Sequence, residues 1–566
     1  MDRVNLIESS YNTVESTPEL LLRAATSVPI SHYMFGLLLT LLVFIYNFLE
    51  MHLFGDLFSG FRGQPVTLTF NPSSQLYRDV VSKCKILHGR FLSTPWLCSP
   101  HLQTVFVHFL GNSPAVKYRR QIFTTSDGGT IALDWVINAD VKKPAIQMNN
   151  AVQDAADRNP ILLIIPGLSS ASDSSYIKHL AFKIAKHGWN VVVSNHRGIG
   201  GVAITSDCFY SGGWTEDARS VVDHLHRQYP EAPLFVVGTS IGANILVKYL
   251  GEDGINVPIV GAAAICSPWD LLICDRYMAR RFVQRFYNKA LTIGLKDYAY
   301  MHEAVLSRLS NWEGVKKSRW VREFDDCATR ILGNFETVDT YYRRCSSVNF
   351  VGSVTVPLLC VSSLDDPVCS SEAIPWDECR LNNNVVLATT QHGGHLPFFE
   401  GITANSVWWV RAVDEFFRAL QCSPQNNQKK EVQVPVSSVT SPLESSIDQA
   451  PYVHVSKDGL VTAVSDEVAE AVVKHQGNTD ENKTEEESNK SGQEEQSAKM
   501  ELNQVSEQDT VEIVGPVEKQ LNELSRQNRK TLWLLAYIAI MSTWPVVGSA
   551  LAVFFRKKIQ KIFSRT

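Results

Sequence analysis

The chain runs to 566 residues, more than one typical domain, so a catalytic unit with additional segments is expected. Its formal net charge of −5 is unevenly placed: residues 423–515 carry 18 acidic against 7 basic residues, which leaves the remainder mildly basic. No dense Lys/Arg patch interleaved with aromatics occurs, which sets nucleic acid aside, and a mildly basic body suits an anionic membrane surface. The 11 cysteines form no Cys-x-x-Cys pair and no Cys/His ligand spacing, so zinc and a disulfide framework are both disfavoured, and no metal or cofactor is expected.

In chain order, residues 1–32 read as an N-terminal tail. They carry Glu8, Glu15 and Glu19 and lack the basic start of a secretory signal. From Tyr33 to Leu49 the chain is apolar and uncharged over just about the length needed to cross a bilayer, which predicts a retained membrane anchor at 33–49. A catalytic domain is expected over 90–422. Ile131–Ile137 alternates as an early antiparallel strand should, whereas Ile161–Ile165 and Asn190–Ser194 are continuous apolar runs typical of buried parallel strands. Helical spacing over Tyr176–His187 and Thr215–Tyr229 separates them, and further strands are expected at Pro233–Val237, Ile259–Ile265, Pro357–Ser362 and Val385–Thr389. This alternation predicts a doubly wound, mostly parallel α/β sheet. The helix-compatible stretch at about 269–351, rich in Arg, Tyr and Trp, reads as a cap inserted between strands.

After a helix over Ser406–Leu420 the composition turns to Ser, Gln, Asn and Glu. Such a segment buries too little apolar surface to offset ordering entropy, so 423–515 is expected to be a disordered acidic tether, open to protein partners. A second membrane segment is expected at 531–555, spanning or re-entrant because Pro545 and Gly548 fall inside it, followed by a basic tail at 556–566.

The chemistry centres on Gly238-Thr239-Ser240-Ile241-Gly242, which closes one apolar run and opens a helical one. A serine at the apex of a strand–turn–helix needs glycines two positions either side, because strand and helix backbones approach too closely for a Cβ. In such an elbow the acid and base follow in the order Ser, Asp, His, each after a strand. Asp366 is the expected acid, with Asp365 the fallback; His395, after Gly393-Gly394, is the expected base, with His392 the rival. The backbone N–H groups of Leu168, after the strand ending at Ile165, and Ile241 are the expected oxyanion donors. His196 and Arg197 are expected to pin a loop, and His101 and Gln103 to lock the N-terminal segment onto the sheet.

Thr94-Pro95-Trp96, His101-Leu102-Gln103-Thr104, Asn195-His196-Arg197-Gly198, the elbow, Asp365-Asp366-Pro367 and His392-Gly393-Gly394-His395-Leu396 together resemble the membrane-anchored α/β-hydrolase-domain lipases, in particular their plant embryogenesis-associated-protein-like branch. The resemblance covers about residues 91–420. It implies an α/β-hydrolase fold and serine carboxylesterase, acylglycerol lipase or phospholipase activity, with Ser240, Asp366 and His395 as triad. Two departures stand out: Pro166-Gly167 replaces the usual His-Gly before the oxyanion loop, and no His-x-x-x-x-Asp motif supports acyl transfer. The expected protein is an integral membrane enzyme of the endoplasmic reticulum acting on lipid esters, with the side of its catalytic domain undecided. The competing expectation is a catalytically silent receptor or scaffold built on the same fold.

Overall fold

The computed structural model describes residues 29–136, 158–423, 453–455 and 461–463. The chain divides into two units, residues 429–532 and the rest. Within the former, Val453–Val455 pairs antiparallel with Val461–Ala463. The second apolar run, the basic tail, the N-terminal tail up to residue 28 and most of the acidic tether lie outside the described residues.

The larger unit is built on a nine-stranded sheet. Its strands in chain order are β1 (Thr67–Phe70), β2 (Arg119–Thr124), β3 (Thr130–Val136), β4 (Ile161–Ile165) and β5 (Asn190–Ser194), then β6 (Leu234–Thr239), β7 (Gly261–Ile265), β8 (Leu358–Ser363) and β9 (Val385–Thr390). In space the order is β1-β9-β8-β7-β6-β4-β5-β3-β2. The six strands from β4 to β9 pair in parallel, and β1, β2 and β3 join antiparallel.

The helices that matter here are α1 (Ile30–Phe48), α2 (Pro100–Phe109), α3 (Ser175–Lys186), α4 (Glu216–Gln228), α5 (Ile241–Asp253), α6 (Leu271–Arg280), α7 (Phe282–Met301), α8 (Val338–Cys345) and α9 (Trp408–Gln421). Alternate residues of β4 feed two separate cores: Leu162 and Ile164 pack with α3 and α9, Ile161, Leu163 and Ile165 with α4 and α5. Helices on both faces are why the parallel strands read as unbroken apolar runs. The α6–α8 region lies between β7 and β8 and closes a core of its own around Tyr298, Leu306 and Phe324. Helix α1 has no buried residue and is long and apolar enough to cross a bilayer.

Two features differ from the sequence reading. The sheet takes in Thr67–Phe70, ahead of the expected start at residue 90, because this four-residue strand completes the edge beside β9. Strand β3 pairs antiparallel as expected, yet its polar register is also buried: Asp134 is covered and bonded to Arg120, Ser172 and Asn195.

Candidate active site

Strand β6 ends at Thr239 and α5 begins at Ile241, so Ser240 alone makes the turn, at φ +52° and ψ −123°. Non-glycine residues adopt such a conformation only when the surroundings enforce it. The flanking glycines show the enforcement: a Cβ on Gly238 would run into the Gly242 carbonyl, and one on Gly242 into the Ile165 and Pro166 carbonyls. All are backbone atoms and cannot step aside.

Strand β8 delivers Asp366. One carboxylate oxygen accepts the N–H groups of Val368 and Cys369, each at 2.8 Å, and the other lies 2.8 Å from His395 Nδ1. Beyond β9, His395 places Nε2 3.0 Å from Ser240 Oγ. Serine, histidine and carboxylate thus form one hydrogen-bonded chain, with His395 and Asp366 both buried. The two alternatives at neighbouring positions pair with each other instead, His392 Nδ1 lying 3.2 Å from Asp365 Oδ2.

Leu168 and Ile241 line the same cavity as Ser240 and His395. Ile241 is the first residue of α5, where an N–H has no intrahelical acceptor and is open to a ligand. The loop bearing Leu168 is held by His196, whose Nε2 donates to the Pro166 carbonyl at 2.9 Å and whose ring stacks on Tyr210 at 4.5 Å. Burial pushes the His196 pKa down, which keeps the ring neutral in that role. Arg197 is buried and bonds to Asp127 and Asp217, a structural clamp. His101 departs from expectation. Its Nδ1 lies 3.0 Å from the Tyr287 hydroxyl on α7, so it ties α2 to the inserted helices rather than to the sheet, while Gln103 is buried with neither side-chain polar atom bonded. The residue of that motif that meets the site is Thr104, whose hydroxyl accepts the His395 N–H at 3.0 Å. Its place in the His101–Thr104 motif, one of those that carry the resemblance, is the signal that could have found it.

The cavity holds about 150 Å³ and is lined largely by apolar and aromatic side chains, among them Met278, Leu291, Leu295 and Tyr341. Asp325 supplies a polar wall. Burial pushes its pKa up to about 6, against the opposing hydrogen bonds from Thr329 at 2.6 Å and Tyr342 at 2.8 Å. Cys266, Asp366 and His395 bring potential ligand atoms within 4.8 Å of one another. A cation fits this set poorly, since burial holds the Cys266 thiol protonated and Asp366 and His395 already bond to each other.

The family model described as "Serine aminopeptidase, S33" (Hydrolase_4) matches residues 156–401. Embryogenesis-associated protein EMB8 of Picea glauca is 33% identical over 379 residues, covering 65% of this chain and 80% of that protein. Phospholipase ABHD3 of Homo sapiens is 32% identical over 338 residues, covering 60% of this chain and 80% of its own. Monoacylglycerol lipase of Saccharomyces cerevisiae is 27% identical over 360 residues, covering 57% and 79% respectively. On this similarity and the strand order, the chain belongs to the α/β-hydrolase family of serine hydrolases.

Proposed function

We propose that the protein is a membrane-bound hydrolase of lipid carboxylic esters, an acylglycerol lipase, carboxylesterase or phospholipase acting through Ser240, His395 and Asp366. The observation that carries this reading is the continuous chain from Ser240 Oγ through both nitrogens of His395 to Asp366. Ser240 Oγ attacks the acyl carbonyl as its proton passes to His395 Nε2. The oxyanion meets the N–H groups of Leu168 and Ile241, two donors worth several kcal/mol to the barrier. Asp366 steadies the imidazolium, which returns the proton to the leaving alcohol; a water molecule activated by the same nitrogen then releases the acid from the acyl-enzyme. No metal or organic cofactor enters these steps.

A lipid substrate is favoured by the apolar cavity and by the lipid-cleaving relatives, named as a phospholipase and a monoacylglycerol lipase. Membrane attachment is favoured by α1 and by Phe54, Leu57 and Phe58, large apolar side chains left exposed in the segment that follows it. An enzyme held at a bilayer meets acyl chains at high local concentration. We assign the endoplasmic reticulum as its membrane. A glycosidase-sensitive mass shift at Asn482 or Asn489 would place the tether on the lumenal side. The test of function is hydrolysis of acylglycerols and phospholipids in vesicles by the full chain. Products should appear with wild type and vanish with Ser240→Ala, and equal activity of the two would refute the reading.

A further inference from the structure

The segment leaving α1 is fastened to the start of α2 and to the inserted helices, and it meets the loop that carries His395 through one ring stack. The Leu49 carbonyl accepts the Ser99 hydroxyl, the His52 N–H donates to the Cys98 carbonyl at 2.9 Å, and Glu50 pairs with Arg281 at 3.2 Å. His52 Nδ1 lies 2.6 Å from an Asp56 carboxylate oxygen, which makes it the protonated nitrogen and leaves Nε2 to accept from Ser93 Oγ at 3.4 Å. The His52 ring lies flat on the His392 ring, centroids 3.7 Å apart and planes within 10°. Burial first, then the neighbouring His392, holds the His52 pKa below its ordinary value.

His392 in turn meets Asp365 Oδ2, and Asp365 Oδ1 accepts the Gly394 N–H at 2.9 Å. The other end of that residue is also held: the Gly394 carbonyl accepts from Ser363 Oγ at 2.8 Å, and the next N–H, that of His395, donates to Thr104. Gly394 sits at φ +63°, and a Cβ there would meet the Pro100 carbonyl at 2.8 Å, so the loop depends on a glycine that by itself is conformationally loose.

We infer that Asp365, His392 and His52 are positioning residues, a second Asp–His pair beside Asp366–His395 that fixes the backbone of the histidine base and ties it to the stem of the membrane helix. Consecutive carboxylates on one turn thereby serve two histidines three positions apart, one in line with the nucleophile and one in the support. The inference deepens the proposed function and rests on it, since the base must be His395 for its backbone to matter.

The test uses the full chain in vesicles with a water-soluble short-chain ester, so that lipid access does not enter. A misplacement of about 1 Å at a reacting group lowers rates about 100-fold, so Asp365→Ala should lower kcat by about 10- to 100-fold with KM within about twofold. Asp365→Asn keeps an oxygen for the Gly394 N–H and should recover most of that loss. His52→Ala should lower kcat several-fold, whereas His52→Phe, which keeps a flat ring on His392 but leaves Asp56 without its partner, should recover part of that loss. Folding is followed by melting temperature. A folded Asp365→Ala with unchanged kcat overturns the inference. If that variant fails to fold, His52→Ala decides: unchanged kcat in a folded His52→Ala overturns the inference equally. Wild-type protein that resists a fluorophosphonate probe would instead remove the proposed function itself.

Discussion

Asp366→Asn tests the orientation of the base, because the structure dictates which way the new amide must face. Asp366 Oδ1 accepts two backbone N–H groups, from Val368 and Cys369, both at 2.8 Å. Turning the amide so that its NH2 met those donors would leave both unsatisfied, at about 1–3 kcal/mol each. The asparagine oxygen therefore stays with the loop, and the NH2 group faces His395 Nδ1. That nitrogen must then accept, which moves the ring proton to Nε2, the atom 3.0 Å from Ser240 Oγ. A protonated Nε2 cannot take the serine proton. The analogous change in a chymotrypsin-like triad lowers kcat by about 10⁴, and a loss of about 10³–10⁴ is expected here with KM little changed. The assay is steady-state hydrolysis of a soluble ester, with melting temperature as the control for folding. A folded Asp366→Asn within tenfold of wild type would refute the assignment.

Gly242→Ala should disrupt the elbow, since its methyl meets the Ile165 and Pro166 carbonyls; a stability loss of about 1–3 kcal/mol in denaturant titration and a large fall in kcat are expected. Asp325 gives a pH signature. Its folded pKa of about 6 exceeds the usual 3.8, so the native state keeps a proton that the unfolded chain has released, and stability declines as pH rises from about 4 to about 6. At about 1.4 kcal/mol per unit this amounts to about 3 kcal/mol at pH 7, and Asp325→Asn should flatten the dependence of melting temperature on pH across that window. An unchanged slope would show that another group carries it. Truncation after Leu420 should leave the protein in carbonate-washed membranes through α1, and residues 531–555 should anchor a fused soluble reporter on their own; release of both by carbonate would show that neither run spans.

The parallel core was legible because strands covered on both faces become unbroken apolar runs, as in Ile161–Ile165, and the elbow because close backbone approach demands Gly238 and Gly242. The edge strand Thr67–Phe70 was not: four residues between short helical pieces give too little periodicity to register. Local context already favours Asp366 over Asp365, but the partner of Asp365 was not legible: that it faces His392 while Asp366 faces His395 appears only in the tertiary structure. The partnership of His101 with Tyr287 and of Thr104 with the His395 backbone joins residues far apart in sequence, where no local pattern points.

Covalent labelling of the full chain with a fluorophosphonate probe, followed by peptide mapping, tests the central claim most directly, because only a serine activated by a neighbouring base reacts rapidly. One adduct on the peptide bearing Ser240 is predicted, abolished in Ser240→Ala and slowed strongly in Asp366→Asn. No adduct under conditions that label other serine hydrolases, or an adduct on a different residue, would contradict it.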